Sequence, residues 1–156
     1  MTISDIITYS MSTFPIWHLT NAAHNPVNLY QSDDYHYIVT QDGEWTPLIS
    51  CGLYTVINQP LLSFFQQYLT VPLPAHVVSI YDRGLAQYTE GYHRIYIKEQ
   101  ITPETLHTAD HVGMKIWCHE SSGGIFISAA LKSALEKSDI KGVELHPGFS
   151  RYGGIL

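Results

Sequence analysis

Nine histidines and two cysteines are the residues through which this chain could do chemistry. His107 and His111 lie four apart and would share a helical face suited to a metal. However, Gly113 and the strand-like run 112–117 leave little room for a helix there, and no His-Glu-x-x-His pattern is present. Cys118-His119-Glu120 offers three ligand types in succession, yet neighbours on a strand point to opposite faces. Cys118 with a histidine is the one nucleophile–base pairing available, and its thiolate would need an electropositive setting. Ser121-Ser122-Gly123-Gly124 is not a Gly-x-Ser-x-Gly elbow, and no glycine-rich phosphate loop occurs. Asp33-Asp34 reads as turn chemistry, and Arg83 and Arg94 could hold an anion. These types and spacings predict no catalytic residues, no metal and no cofactor, and so a protein that is not an enzyme.

The elements that must position these groups are easier to read. Residues 125–127 are an apolar strand, and Ser128 can cap a helix whose core positions are Leu131, Ala134 and Leu135. Gly142 turns the chain into the strand Val143-Glu144-Leu145. An earlier stretch repeats the plan. The strand 53–57 meets Asn58 as a cap and Pro60 in the first turn, and then a helix with apolar positions 61, 64, 65 and 68. The strand 76–80 follows. In this reading Asn58 matches Ser128, Leu61 matches Leu131, Phe64 matches Ala134 and Phe65 matches Leu135. Val77 falls near Val143, with about four extra loop residues in the first copy. Further strands are expected at 35–40, 92–98 and 112–117, with Tyr92, Arg94, Tyr96 and Lys98 on one face. Pro15 makes 14–19 an edge strand, and 21–34 reads as turns. The prediction is one α+β domain over 1–156. It has a mixed, largely antiparallel sheet or sheets, two principal helices and two similar strand–helix–strand units. Residues 1–13 and 148–156 are expected to be loosely ordered.

Charge narrows the partners. The net charge is −6, and only 14% of residues are charged. No Lys or Arg precedes Arg83, so the six acidic residues of 1–82 are uncompensated there. Such a half repels nucleic acid and favours a cationic protein. The 11 tyrosines fit a recognition surface, since a Tyr ring offers area with a polar tip. Acid and aromatic groups mix most densely at Tyr30, Asp33, Asp34, Tyr35, Tyr37, Asp42, Glu44 and Trp45. The start lacks a signal peptide's basic and apolar regions, and no run nears the ~20 apolar residues of a membrane span. A cytoplasmic protein without a membrane association is expected.

The stretch Ile125-Phe126-Ile127-Ser128, Leu131-Lys132, Ala134-Leu135-Glu136-Lys137, Ile140-Lys141-Gly142-Val143-Glu144-Leu145 and Pro147 resembles the C-terminal signature of bacterial polymorphic-toxin immunity proteins. The family is the one numbered eleven among them. Pro47-Leu48, Val56-Ile57, Leu61-Leu62, Phe65 and Val77 to Asp82 are similar to its upstream part, and His111 to Trp117 to the segment before its last strand. The resemblance implies a small α+β protein that binds a cognate toxin domain and blocks it stoichiometrically, as a monomer or homodimer when free. The eight residues above are the expected contacts. The alternative is a small enzyme or ligand-binding domain using His93, Arg94, Cys118, His119 or His146. A homo-oligomeric structural subunit is a third reading.

Overall fold

The computed structural model describes residues 14–51, 54–106 and 110–151. Its strands are β1 (Ile16–Asn21), β2 (Asn28–Gln31), β3 (His36–Gln41), β4 (Leu48–Cys51), β5 (Tyr54–Asn58), β6 (Ala75–Asp82), β7 (Gln87–Ile95), β8 (Gln100–Ile101), β9 (Ile116–His119), β10 (Ile125–Ser128) and β11 (Val143–Pro147). Helix α1 (Gln59–Tyr68) joins β5 to β6, and α2 (Ala129–Glu136) joins β10 to β11. The expected α+β class, with two mixed and mostly antiparallel sheets, is the observed one.

Both helices start as their sequences dictate. Asn58 Oδ1 accepts from the Leu61 N–H at 3.1 Å, and Ser128 Oγ accepts from the Leu131 N–H at 3.4 Å. Each cap satisfies a donor that no intrahelical carbonyl reaches. Pro60 fits the first turn for the complementary reason, since it has no N–H to satisfy.

Sheet order shows that the two units share a plan. One sheet runs β11-β1-β10-β9-β8 and the other β2-β3-β6-β7-β5-β4. β7 is antiparallel to both β5 and β6, and β1 is antiparallel to both β10 and β11. Each strand–helix–strand unit is therefore a split pair of parallel strands with one antiparallel strand inserted. The register coincides as well. Val56, Arg94 and His76 lie opposite one another across the first unit, as Phe126, His18 and His146 do across the second. Positions 56 and 126, 58 and 128, and 76 and 146 all differ by 70. The first copy thus has no extra loop residues, and the partner of Val77 is Pro147, not Val143. Equal spacing from cap to second strand was masked because α1 is two residues longer than α2.

The units pack face to face. Leu61, Leu62, Phe64 and Phe65 of α1 and Leu131 and Leu135 of α2 share a core with Trp17, Leu19, Leu48, Ile57, Ile95, Ile125 and Ile127. Each such side chain contributes about 1.5–3 kcal/mol when fully buried. Gly142 lies at the join. Its φ is +87°, a Cβ there would sit 2.9 Å from Pro47 Cδ, and its carbonyl accepts from the Ala22 N–H at 2.9 Å.

Each sheet also buries its other face. In the larger one, Leu29, Tyr37, Val39, Ile49, Val56, Val78, Ile80 and Tyr92, from all six strands, form a second core with Val27. This happens because the sheet curls until its edges, β2 and β4, come together. In the smaller sheet, Ile16, Trp117, Phe126 and Phe149 do the same with Ile101 and Leu106.

Several expectations change. β1 is interior, not an edge, because Pro15 stands just before the ladder and its missing N–H costs nothing. Residues 21–34 contain β2, held by the inward Val27 and Leu29. The strand expected at 92–98 is β7, which begins at Gln87 and ends at Ile95, and that at 112–117 begins only at Ile116. Phe149 is fully buried against Phe126 at 4.6 Å between ring centroids, so the chain is anchored there rather than loose after 147. Residues 1–13 and 152–156 lie outside the described residues, as do Leu53 and His107.

Candidate functional site

Alternation on the curled sheet sorts its residues into an enclosed set and an outer set. Tyr37 and Val39 point in, so Ile38 points out; Leu29 points in, so Tyr30 points out. Across the strands Tyr30 lies opposite Ile38, Ile38 opposite Tyr81, and Tyr81 opposite Tyr88. The Tyr81 and Tyr88 rings are 4.9 Å apart. Tyr30 is 62% exposed, Tyr88 66% and Val77 61%, while Ile38 and Tyr81 between them are half-buried. The result is a row of aromatic and branched side chains across four strands, exposed most at its two ends, Tyr30 and Tyr88.

The eight residues picked out from the sequence divide into three places. Asp33, Asp34 and Tyr35 form the exposed turn between β2 and β3. Asp33 Oδ1 accepts from the Tyr35 N–H at 2.8 Å and lies 2.8 Å from His36 Nδ1, and these contacts hold its carboxyl below the usual range. Asp42, Glu44 and Trp45 are exposed beyond the other end of β3. Six residues of strand separate the two groups, roughly 20 Å at strand rise. Tyr30 stands on the outer row. Tyr37 is 1% exposed and belongs to the enclosed core, where burial raises its hydroxyl to about 12, so it cannot touch a partner. The sequence reading missed Ile38, Tyr81 and Tyr88. The signal was present in the alternation of 36–41 and 77–81, but the pairing of β3 with β6, far apart in sequence and parallel, is not legible without the fold.

Asp42, Glu44 and Glu90 are exposed and pair with no cation among the described residues. Unpaired surface charge of this sign favours encounter with a basic molecule.

The residues of the alternative reading also separate. Arg94, Cys118 and His119 line one cavity of about 500 Å³ between the sheets. His93 points to the opposite face of β7, opposite Ile57 and Val77. Burial raises the Cys118 thiol, and its Sγ lies 3.6 Å from the Ile97 carbonyl as a donor, so it is a protonated thiol rather than a thiolate. His146 is on β11, 3.2 Å from Thr20 Oγ1 and 3.4 Å from Glu144. His111 Nε2 lies 2.6 Å from the Leu106 carbonyl oxygen. Among the described residues no three His, Cys, Asp or Glu side chains gather as metal ligands, and no helix is long and apolar enough to cross a membrane.

No protein-family model, curated protein or solved structure matches the chain significantly.

Proposed function

We propose that the chain is an immunity protein that neutralises a cognate bacterial toxin domain by stoichiometric binding, in the cytoplasm of the cell that makes the toxin. The observation that carries this reading is the row Tyr30–Ile38–Tyr81–Tyr88 across four strands, exposed at Tyr30 and Tyr88. Aromatic side chains of this kind anchor protein interfaces because they bury large area at little entropic cost. The acids Asp42, Glu44 and Glu90 flank the row's sheet without a cationic partner among the described residues, which suits a cationic toxin and disfavours nucleic acid. Inhibition needs no chemistry on the inhibitor's side, which accords with a surface built for contact.

The test is co-expression with the toxin domain encoded beside this chain's gene, followed by titration of the purified pair. Wild type should rescue growth and form a 1:1 complex. Tyr30→Ala with Tyr88→Ala should weaken the complex by about 30-fold or more, the scale of a single central anchor, while leaving the melting temperature unchanged. Asp42→Ala with Glu44→Ala should act mainly by slowing association at low salt. Growth arrest despite abundant folded protein would overturn the reading; an intact complex in the double tyrosine variant would move the interface elsewhere.

A further inference from the structure

One end of the curled sheet is closed by a cation with few partners. Arg94 and Tyr92 share the inward face of β7, as Tyr54 and Val56 share that of β5. The Arg94 side chain is 12% exposed. Its guanidinium carbon lies 4.2 Å from the centroid of the Tyr54 ring and 4.6 Å from that of Tyr96. Its one hydrogen bond among the described residues runs from Nη1 to Asp34 Oδ1 at 3.3 Å, and Asp34 is itself 73% exposed. A guanidinium carries five N–H donors in the plane of the group. Ring contacts occupy its π-face, and the bond to Asp34 uses only one of these donors. Next to it, the buried Tyr37 hydroxyl has no hydrogen-bond partner among the described residues.

Arg94, with the two tyrosines that flank it, Tyr54 and Tyr96, lines the cavity of about 500 Å³ already described, a volume typical of small-molecule sites. Lys98 adds a second positive charge to its wall and Glu120 one negative, while Ile95, Ile97 and Ile125 give it an apolar lining. We propose that this cavity binds a small organic carboxylate, with the carboxylate on the Arg94 fork beside Lys98 and the apolar body against Tyr54, Ile97 and Ile125. Two adjacent N–H groups of one guanidinium match the two oxygens of a carboxylate. The apolar lining favours a carboxylate with a hydrocarbon body over inorganic phosphate, which has nothing to place there. The site lies at the mouth of the sheet, apart from the outer tyrosine row, and does not depend on toxin neutralisation.

Benzoate and hexanoate are suitable probes, with benzamide and inorganic phosphate as controls, followed by saturation-transfer NMR and calorimetry on the full chain. Benzoate or hexanoate should bind saturably, and benzamide and phosphate about tenfold or more weaker, because one lacks the charge and the other the apolar body. Arg94→Gln should lose about tenfold or more, and Arg94→Lys, which keeps the charge and loses the fork, a large part of that. Lys98→Gln should lose a few-fold, as a more solvated cation does. Should Arg94→Gln fail to fold, Arg94→Lys and the benzamide comparison carry the test in its place. Equal binding of benzamide and benzoate, unchanged benzoate affinity in Arg94→Lys, or no saturation at millimolar concentration would each overturn the proposal. None of these outcomes bears on whether the tyrosine row holds a toxin.

Discussion

The two split units carry the same backbone register and place opposite kinds of group at one position of it. Arg94, between Val56 and His76, is a permanent cation; His18, between Phe126 and His146, is a neutral ring. The Arg94 side chain, 12% exposed, is flanked by Asp34 and two tyrosine rings. His18 needs no counter-ion: it stacks on Phe126 at 4.6 Å, and burial, followed by the charges of His146, Arg151 and His119, lowers its pKa to about 4. One architecture has thus been filled by two solutions to burying a polar group, compensation in one unit and neutralisation in the other. The compensated position borders a cavity with donors to spare, and the neutralised one seals a core.

The largest test of the comparison concerns whether the units are one cooperative body. Leu61 and Leu131 are equivalent, fully buried and part of the same core. Leu61→Ala and Leu131→Ala should each cost about 2–5 kcal/mol. If the shared core makes one body, both should lower a single melting transition, read by calorimetry. Two transitions, each shifted by one substitution only, would separate the units.

The next effect separates the two polar solutions. Unfolded, His18 takes a proton near pH 6.5; folded, it resists until about 4. The unfolded state binds more protons across that window, so the stability His18 supplies is complete above pH 6.5 and is lost as pH falls toward 4. The loss is roughly 2 kcal/mol, below the ~3 that the shift would give without screening. Urea melts at pH 7 and pH 4.5 should show it, and His18→Leu should flatten that part of the pH dependence.

What the sequence disclosed follows from the range of the interactions involved. Both caps, both helices and the pairing of Leu61 with Leu131 are local patterns, and all stand in the structure. β2 was lost because four strand residues between Asn-Pro and Ser-Asp-Asp carry less local signal than the turns around them. The insertion of β1 between β10 and β11 joins residues more than a hundred positions apart, and no local pattern encodes it. The candidate surface was half legible for the same reason. Tyr30 stood out by composition, but Tyr81 and Tyr88 join it only through sheet pairing, and Tyr37 changed sides because alternation within β3 was read without knowing which face is enclosed.

The smallest effect distinguishes the caps themselves. Asn58 accepts one helix donor and sits partly exposed, so Asn58→Ala should cost about 1 kcal/mol, water taking over part of the contact. Ser128 is fully buried and accepts twice, from the Leu131 N–H at 3.4 Å and from the Lys115 N–H at 3.1 Å. Ser128→Ala would leave both donors without this acceptor, the Leu131 N–H in a buried position, and about 2 kcal/mol is expected. Asn58→Ser should be nearly neutral, since a serine hydroxyl caps as well as an amide oxygen. Ser128→Asn should not be, because the larger side chain has no room at a position with no exposed surface. Chemical denaturation of the four variants reads the difference directly. Equal costs for the two alanine variants would mean that the second bond of Ser128 contributes nothing, and that the units are alike at their caps after all.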